Sequence, residues 1–112
     1  MSKSEHQIER EILVWLNRIR GALFWKNETQ GTYDASKGCY RKNSNPFFIK
    51  GVSDIIGILN GVVLFLEVKS EKGRESESQK RFREAVTKRG GNVHVVKSIE
   101  ETEAVLKFLD LM

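Results

Sequence analysis

Apolar residues recur with two rhythms along this 112-residue chain, and each rhythm names an element. Ile8, Ile12, Trp15, Leu16 and Ile19 fall at i, i+4, i+7, i+8 and i+11, one stripe of an amphipathic helix. The stripe predicts a helix from about Ser4 to Arg20, stopped by Gly21. Ala22-Leu23-Phe24-Trp25 is short, aromatic and β-prone, and predicts a first strand. Two apolar runs, Asp54 to Leu59 and Val62 to Lys69, flank the dipeptide Asn60-Gly61. Asn-Gly in that setting predicts a two-residue hairpin with a type I′ turn, because both central residues take positive φ there. Helical spacing returns from Ser76 to Lys88, with Phe82 and Val86 one turn apart and Gly90-Gly91 as the stop. Val93 to Val96 predicts a fourth strand. Ser98 and Glu101 then form a capping box that opens a last helix, with Val105, Leu106 and Leu109 on its core face.

Residues 27–50 break both rhythms: they are polar, carry the sole proline, Pro46, and predict a long loop. Phe47-Phe48-Ile49 either extends the sheet or packs beneath that loop. The order αβββαβα predicts one α/β domain spanning 1–112, a mixed central sheet flanked by helices.

The hairpin also carries chemistry. A two-residue turn at Asn60-Gly61 sets Leu59 against Val62, and the same register brings Asp54 across from Glu67, about 5 Å between Cβ atoms. Lys69 shares their face, since side chains alternate along a strand. Like charges directly opposed on a sheet are destabilising, and converging carboxylates raise each other's pKa. A divalent cation removes the conflict, because Asp and Glu supply the hard oxygen ligands that Mg²⁺ or Mn²⁺ prefers. Lys69 beside them can position an attacking water and offset phosphate charge. The bland alternative is a turn cap at Asp54 and a charged strand edge at Glu67 and Lys69.

Charge points the same way. The net charge is +4, and between Lys69 and Arg89 bases outnumber acids two to one, which favours a polyanionic partner. Arg74, Lys72, Lys80 and Arg81 on one side, with Lys50 and Arg41 from the loop, are the candidate backbone contacts. Lys88 and Arg89 fit better as cations at a helix C-terminus. Tyr33, Tyr40 and Phe47 are the aromatics placed to touch nucleic acid. No run approaches the ~20 apolar residues of a membrane span. Cys39 stands alone, so no internal disulfide forms; a reducing cytoplasm, in a bacterial or phage-infected cell, is the expectation. No zinc spacing of Cys and His occurs, and no P-loop. His94 lies within an apolar strand and reads as packed, whereas His6 could neighbour the site.

Gly51-Val52-Ser53-Asp54, Glu67-Val68-Lys69 and Gly73-Arg74-Glu75-Ser76-Glu77-Ser78-Gln79, in that order and spacing, resemble the VRR-NUC family of the PD-(D/E)xK nuclease superfamily. Glu5-His6-Gln7-Ile8-Glu9 and Trp25-Lys26-Asn27 are similar to it as well, so the resemblance spans nearly the whole chain. Ser53 stands where the superfamily name has proline. The resemblance implies a restriction-endonuclease-like αβββαβ(α) core and a Mg²⁺- or Mn²⁺-dependent endonuclease. Asp54, Glu67 and the Val68 carbonyl would bind the metal, and Lys69 would activate water. It implies that Gln79 supports catalysis, although Ser76-x-x-Gln79 is also a capping box. It further implies that an acid of the first helix, Glu5 or Glu9, completes the site. Stand-alone relatives resemble Holliday-junction resolvases, so branched DNA cut by a homodimer is the expected substrate and state. A flap, nicking or duplex nuclease, or a catalytically silent DNA-binding module, are the alternatives.

Overall fold

Asn60 and Gly61 take φ of 52° and 80°, the positive values that close a type I′ turn. In the computed structural model, which describes residues 3–28, 33–34, 39–40, 46–47 and 49–112, this turn joins β4 (Ile55–Leu59) to β5 (Val62–Val68). Leu59 pairs with Val62 and Ile55 with Leu66, the register expected from the turn alone. β1 (Ala22–Lys26) lies antiparallel to β4, and β6 (Asn92–Val96) lies parallel to β5. The sheet order is therefore β1-β4-β5-β6, a mixed sheet. A second ladder, two residues per strand, pairs β2 (Tyr33–Asp34) with β3 (Cys39–Tyr40) inside the long connection, where no strand is expected from the sequence.

Alternation divides the sheet into two faces. Phe24, Ile55, Leu59, Leu64, Leu66 and Val68 point to one side and form the core with Ile8, Ile12 and Leu16 of α1 (Glu5–Leu16) and Leu106 of α3 (Ile99–Phe108). On the other side Phe65 meets Phe82 of α2 (Glu77–Lys88) edge to face, with ring centroids 5.4 Å apart. The architecture is α/β, with α1 and α3 on one face, α2 on the other, and a restriction-endonuclease-like arrangement of the sheet. No helix among the described residues is long and apolar enough to cross a membrane.

α1 ends at Leu16, four residues before the expected Arg20. Asn17 causes the early stop. Its amide donates to the carbonyls of Leu13 and Phe24, both at 3.0 Å, and its Oδ1 accepts the Phe24 N–H at 2.9 Å. That side chain leaves the helical pattern to bind the first strand. Ile19 still packs against the core from the turn that follows. Gly57 is required for a different reason: it lies opposite Phe24, and a Cβ there would sit 2.0 Å from the ring.

Candidate active site

Asp54 sits immediately before β4, one position beyond the last pair of the hairpin, so the register continues it to Glu67. Its Oδ2 accepts the Val68 N–H at 2.8 Å, and its carbonyl accepts the Asn27 N–H at 2.8 Å. These two bonds fix Asp54 between β1 and β5. Gly51 sets the approach of this segment: at φ 81° its Cα lies against the backbone of Ser78, where an added Cβ would come within 2.3 Å. A glycine is therefore needed both for the left-handed backbone and for the close contact with the first turn of α2. Lys69 follows β5, its N–H bonded to the Val96 carbonyl at 3.0 Å, and its side chain is largely buried.

Glu67 is the anomaly of the molecule. It is fully buried, and neither carboxylate oxygen has a hydrogen-bond partner among the described residues. Its carboxyl is pushed up to about 8, first by burial and then by the neighbouring Glu75 carboxylate, toward which only a protonated Glu67 can donate a hydrogen bond, with Arg83 and Lys69 pulling the other way. Glu75 is held down to about 2, chiefly by Arg83. The Arg83 guanidinium grips both Glu75 oxygens, with Nε contacts of 2.9 and 3.1 Å and an Nη2 contact of 2.9 Å. Neither member of this pair is among the residues the sequence singles out. Arg83 follows the buried Phe82 on α2, which hints that it borders the sheet. Nothing in spacing or composition marks the loop residue Glu75 as its partner.

The first helix delivers its acids to the same end of the sheet. Glu5, His6 and Glu9 line a cleft of about 250 Å³ together with Lys26, Asn27 and Asp54. Glu9 is buried and stands 3.4 Å from the Lys26 Nζ; Glu5 is more exposed and stands 3.9 Å from the Lys69 Nζ. Both candidates thus reach the neighbourhood of the hairpin residues, each held by a different lysine.

A search of solved structures finds a protein described as a VRR_NUC domain. It is 25% identical and superposes with a TM-score of 0.66, over 94% of this chain and 96% of its own. The likeness supports a VRR-NUC family assignment for this chain. No family model matches the sequence, and the search of curated proteins finds no match. The assignment therefore rests on the shared fold together with the ordered motifs this chain carries.

Gln79 forms the capping box that is one of its two expected roles. Its Oε1 accepts the Ser76 N–H at 2.9 Å while the Ser76 hydroxyl accepts the Gln79 N–H at 3.2 Å, a complete capping box. The Gln79 Oε1 is engaged by the helix end rather than by any side chain of the site. Arg74, Lys72, Lys80, Arg81 and Lys50 are exposed and pair with no acid among the described residues. Arg41 lies outside the described residues, as do the side chains of Tyr33 and Tyr40. His94 is half-buried and its pKa is lowered by burial, as a packed imidazole requires. His6 does line the Asp54 cleft.

The donor set fits a hard cation. A buried carboxylate with two unpartnered oxygens costs several kcal/mol unless a proton or a cation meets it, and the hairpin register sets Asp54 opposite it. No group of three or more His, Cys, Asp or Glu that could hold a metal ion occurs among the described residues. Two carboxylates and a main-chain carbonyl suit Mg²⁺ or Mn²⁺, which keep several waters, better than a cation that demands a full protein cage.

Proposed function

We propose that this VRR-NUC chain is a Mg²⁺- or Mn²⁺-dependent endonuclease that hydrolyses phosphodiester bonds in DNA. The observation that carries the reading is the buried, unpartnered Glu67 carboxylate, set by the hairpin register opposite Asp54 and two residues before Lys69. Asp54, Glu67 and the Val68 carbonyl would hold the metal, which supplies a hydroxide-like nucleophile near neutral pH and neutralises phosphate charge. Lys69 orients the attacking water and balances the charge that builds on the phosphate. The Lys69 ammonium has the burial for this work, because a cation shielded from bulk water acts more strongly on a neighbouring charge. Glu5 and Glu9 tether Lys69 and Lys26 at the mouth of the site. Gln79 offers its amide nitrogen, since only Oε1 is taken by the cap.

Nicking of supercoiled plasmid in Mg²⁺, in Mn²⁺ and in chelator tests the reading. Cutting that needs the metal and vanishes in Glu67→Gln supports it. Cutting that persists in chelator, or in Glu67→Gln, overturns it. The substrate we propose is branched DNA, with two copies of the chain making matched cuts. Four exposed apolar residues support a pair of chains: Leu23, Ile58 and Val63 form one row across β1, β4 and β5, and Trp25 lies two residues along on the same face.

A further inference from the structure

Two depressions meet beside α1. The cleft that contains Asp54 is lined by His6, Glu9 and Lys26. The same three residues line a wider groove, about 570 Å³, that runs past Arg10, Leu13 and Val14. The two adjoin across these side chains, and the second lies along an exposed face of the helix.

His6, Arg10 and Val14 recur every fourth residue, which stacks them along one side of α1. Arg10 is exposed and makes no hydrogen bond or ion pair among the described residues, in contrast to Lys3, Lys26 and Arg83, which all have acidic partners. Glu9 is the groove's one acid, and it is met by Lys26 at 3.4 Å. What remains is an unneutralised guanidinium beside the apolar Leu13 and Val14, with the polar side chains of Ser4, His6 and Gln7 completing the lining. Guanidinium groups recognise phosphate through a planar fork of donors, and apolar side chains beside one suit sugar or base faces better than bulk water.

A strand whose scissile phosphate reaches Asp54 and Glu67 must leave the site in two directions. Arg74 and Lys80, exposed cations beside the N-terminus of α2, are the candidates for one of them. We infer that the α1 groove serves the other. It binds the phosphodiester backbone of the nucleic-acid strand flanking the cut, with Arg10 as its main phosphate contact and Lys26 at the border between groove and cleft. This rests on the nuclease reading above for its substrate.

The test is fluorescence anisotropy of a labelled duplex with a single-stranded flank, titrated in chelator so that nothing is cut, across a range of salt. Arg10→Glu is expected to weaken binding by about tenfold or more, and Arg10→Ala to flatten the log–log salt dependence by roughly 0.7–0.9. Lys107→Ala, on α3, is the control and should match the wild type. Because Arg10 is exposed, thermal melting of each variant should be unchanged. Wild-type affinity and slope in both Arg10 variants would overturn the assignment, and if plasmid nicking still required metal, the nuclease reading would stand without it. Loss of binding in the Arg10 variants with no metal-dependent nicking by the wild type would support the groove as a nucleic-acid site and remove the nuclease reading. Absence of DNA binding by the wild type at low salt would remove both.

Discussion

A carboxylate buried without a partner makes its own pH dependence. The Glu67 carboxyl is raised from 4.5 to about 8, so the folded protein holds a proton there that the unfolded chain has lost. Stability from this group is full below the unfolded value and drains away as pH rises through about 8. Glu75 works in the opposite sense at the acid end: lowered from 4.5 to about 2, it contributes stability that is lost as pH falls. His94 also titrates below neutrality, because its pKa is lowered from 6.5. The interval from about pH 7 to about pH 9 therefore isolates Glu67. Across it Tm in chelator is expected to fall by several degrees, on the order of 1 kcal/mol, and to stay level in Glu67→Gln. A cation that needs the ionised carboxylate should reverse the trend, so Mg²⁺ should raise Tm more at the higher pH. Equal pH slopes in the wild type and in Glu67→Gln would show that the carboxylate is solvated after all. Lys69→Ala belongs at the same scale: cleavage should fall by about 10²-fold or more while melting and DNA affinity stay close to wild type. Single-turnover kinetics on a labelled substrate separates the two effects, and full activity would place water activation elsewhere.

At the scale of elements, the hairpin and the first turn of α2 frame the site, and the cations of α2 and of the loop before it should act on binding rather than chemistry. Removing Arg74, Lys80 or Arg81 should each flatten the salt dependence of affinity by roughly 0.9 in log–log slope, with turnover at saturating DNA unchanged. Lost turnover with an unchanged slope would move these side chains into the reaction. Much of this frame is legible in the sequence, because it depends on local chemistry. Asn60-Gly61 determines the turn, the turn determines the register, and the register carries Asp54 to Glu67. The capping pattern Ser76-x-x-Gln79 is equally local, and it forms. What is not legible depends on distant partners. The stop of α1 at Leu16 comes from Asn17 reaching Phe24 in the next strand. The Glu75–Arg83 pair joins a loop to a helix face, and no periodicity announces such a bond. The shape of the groove along α1 is likewise a product of packing, although the spacing of His6, Arg10 and Val14 is present in the sequence.

For the whole molecule the open face of the sheet sets the last expectation. α1 and α3 cover one face, whereas α2 lies against the β5 and β6 side of the other, where Phe82 meets Phe65. Leu23, Ile58 and Val63 sit side by side across three strands at 61%, 38% and 47% exposure, and Trp25 adds another 47%. A contiguous exposed apolar row is costly to leave in water and marks a surface of association. A C₂ dimer would bury the same row from both copies and hold two sites at one spacing, which suits a symmetric branched substrate. Light scattering is expected to report a dimer, and Val63→Glu, or Leu23→Glu on β1, to shift it to monomer without unfolding. Four-way junctions should be cut in preference to linear duplex by the dimer, and the preference should fall in the monomeric variants while metal-dependent nicking of plasmid survives. A monomer in solution and on DNA, cutting both substrates equally, would remove the paired-cut proposal and leave the chemistry of Asp54, Glu67 and Lys69 to be judged on its own test.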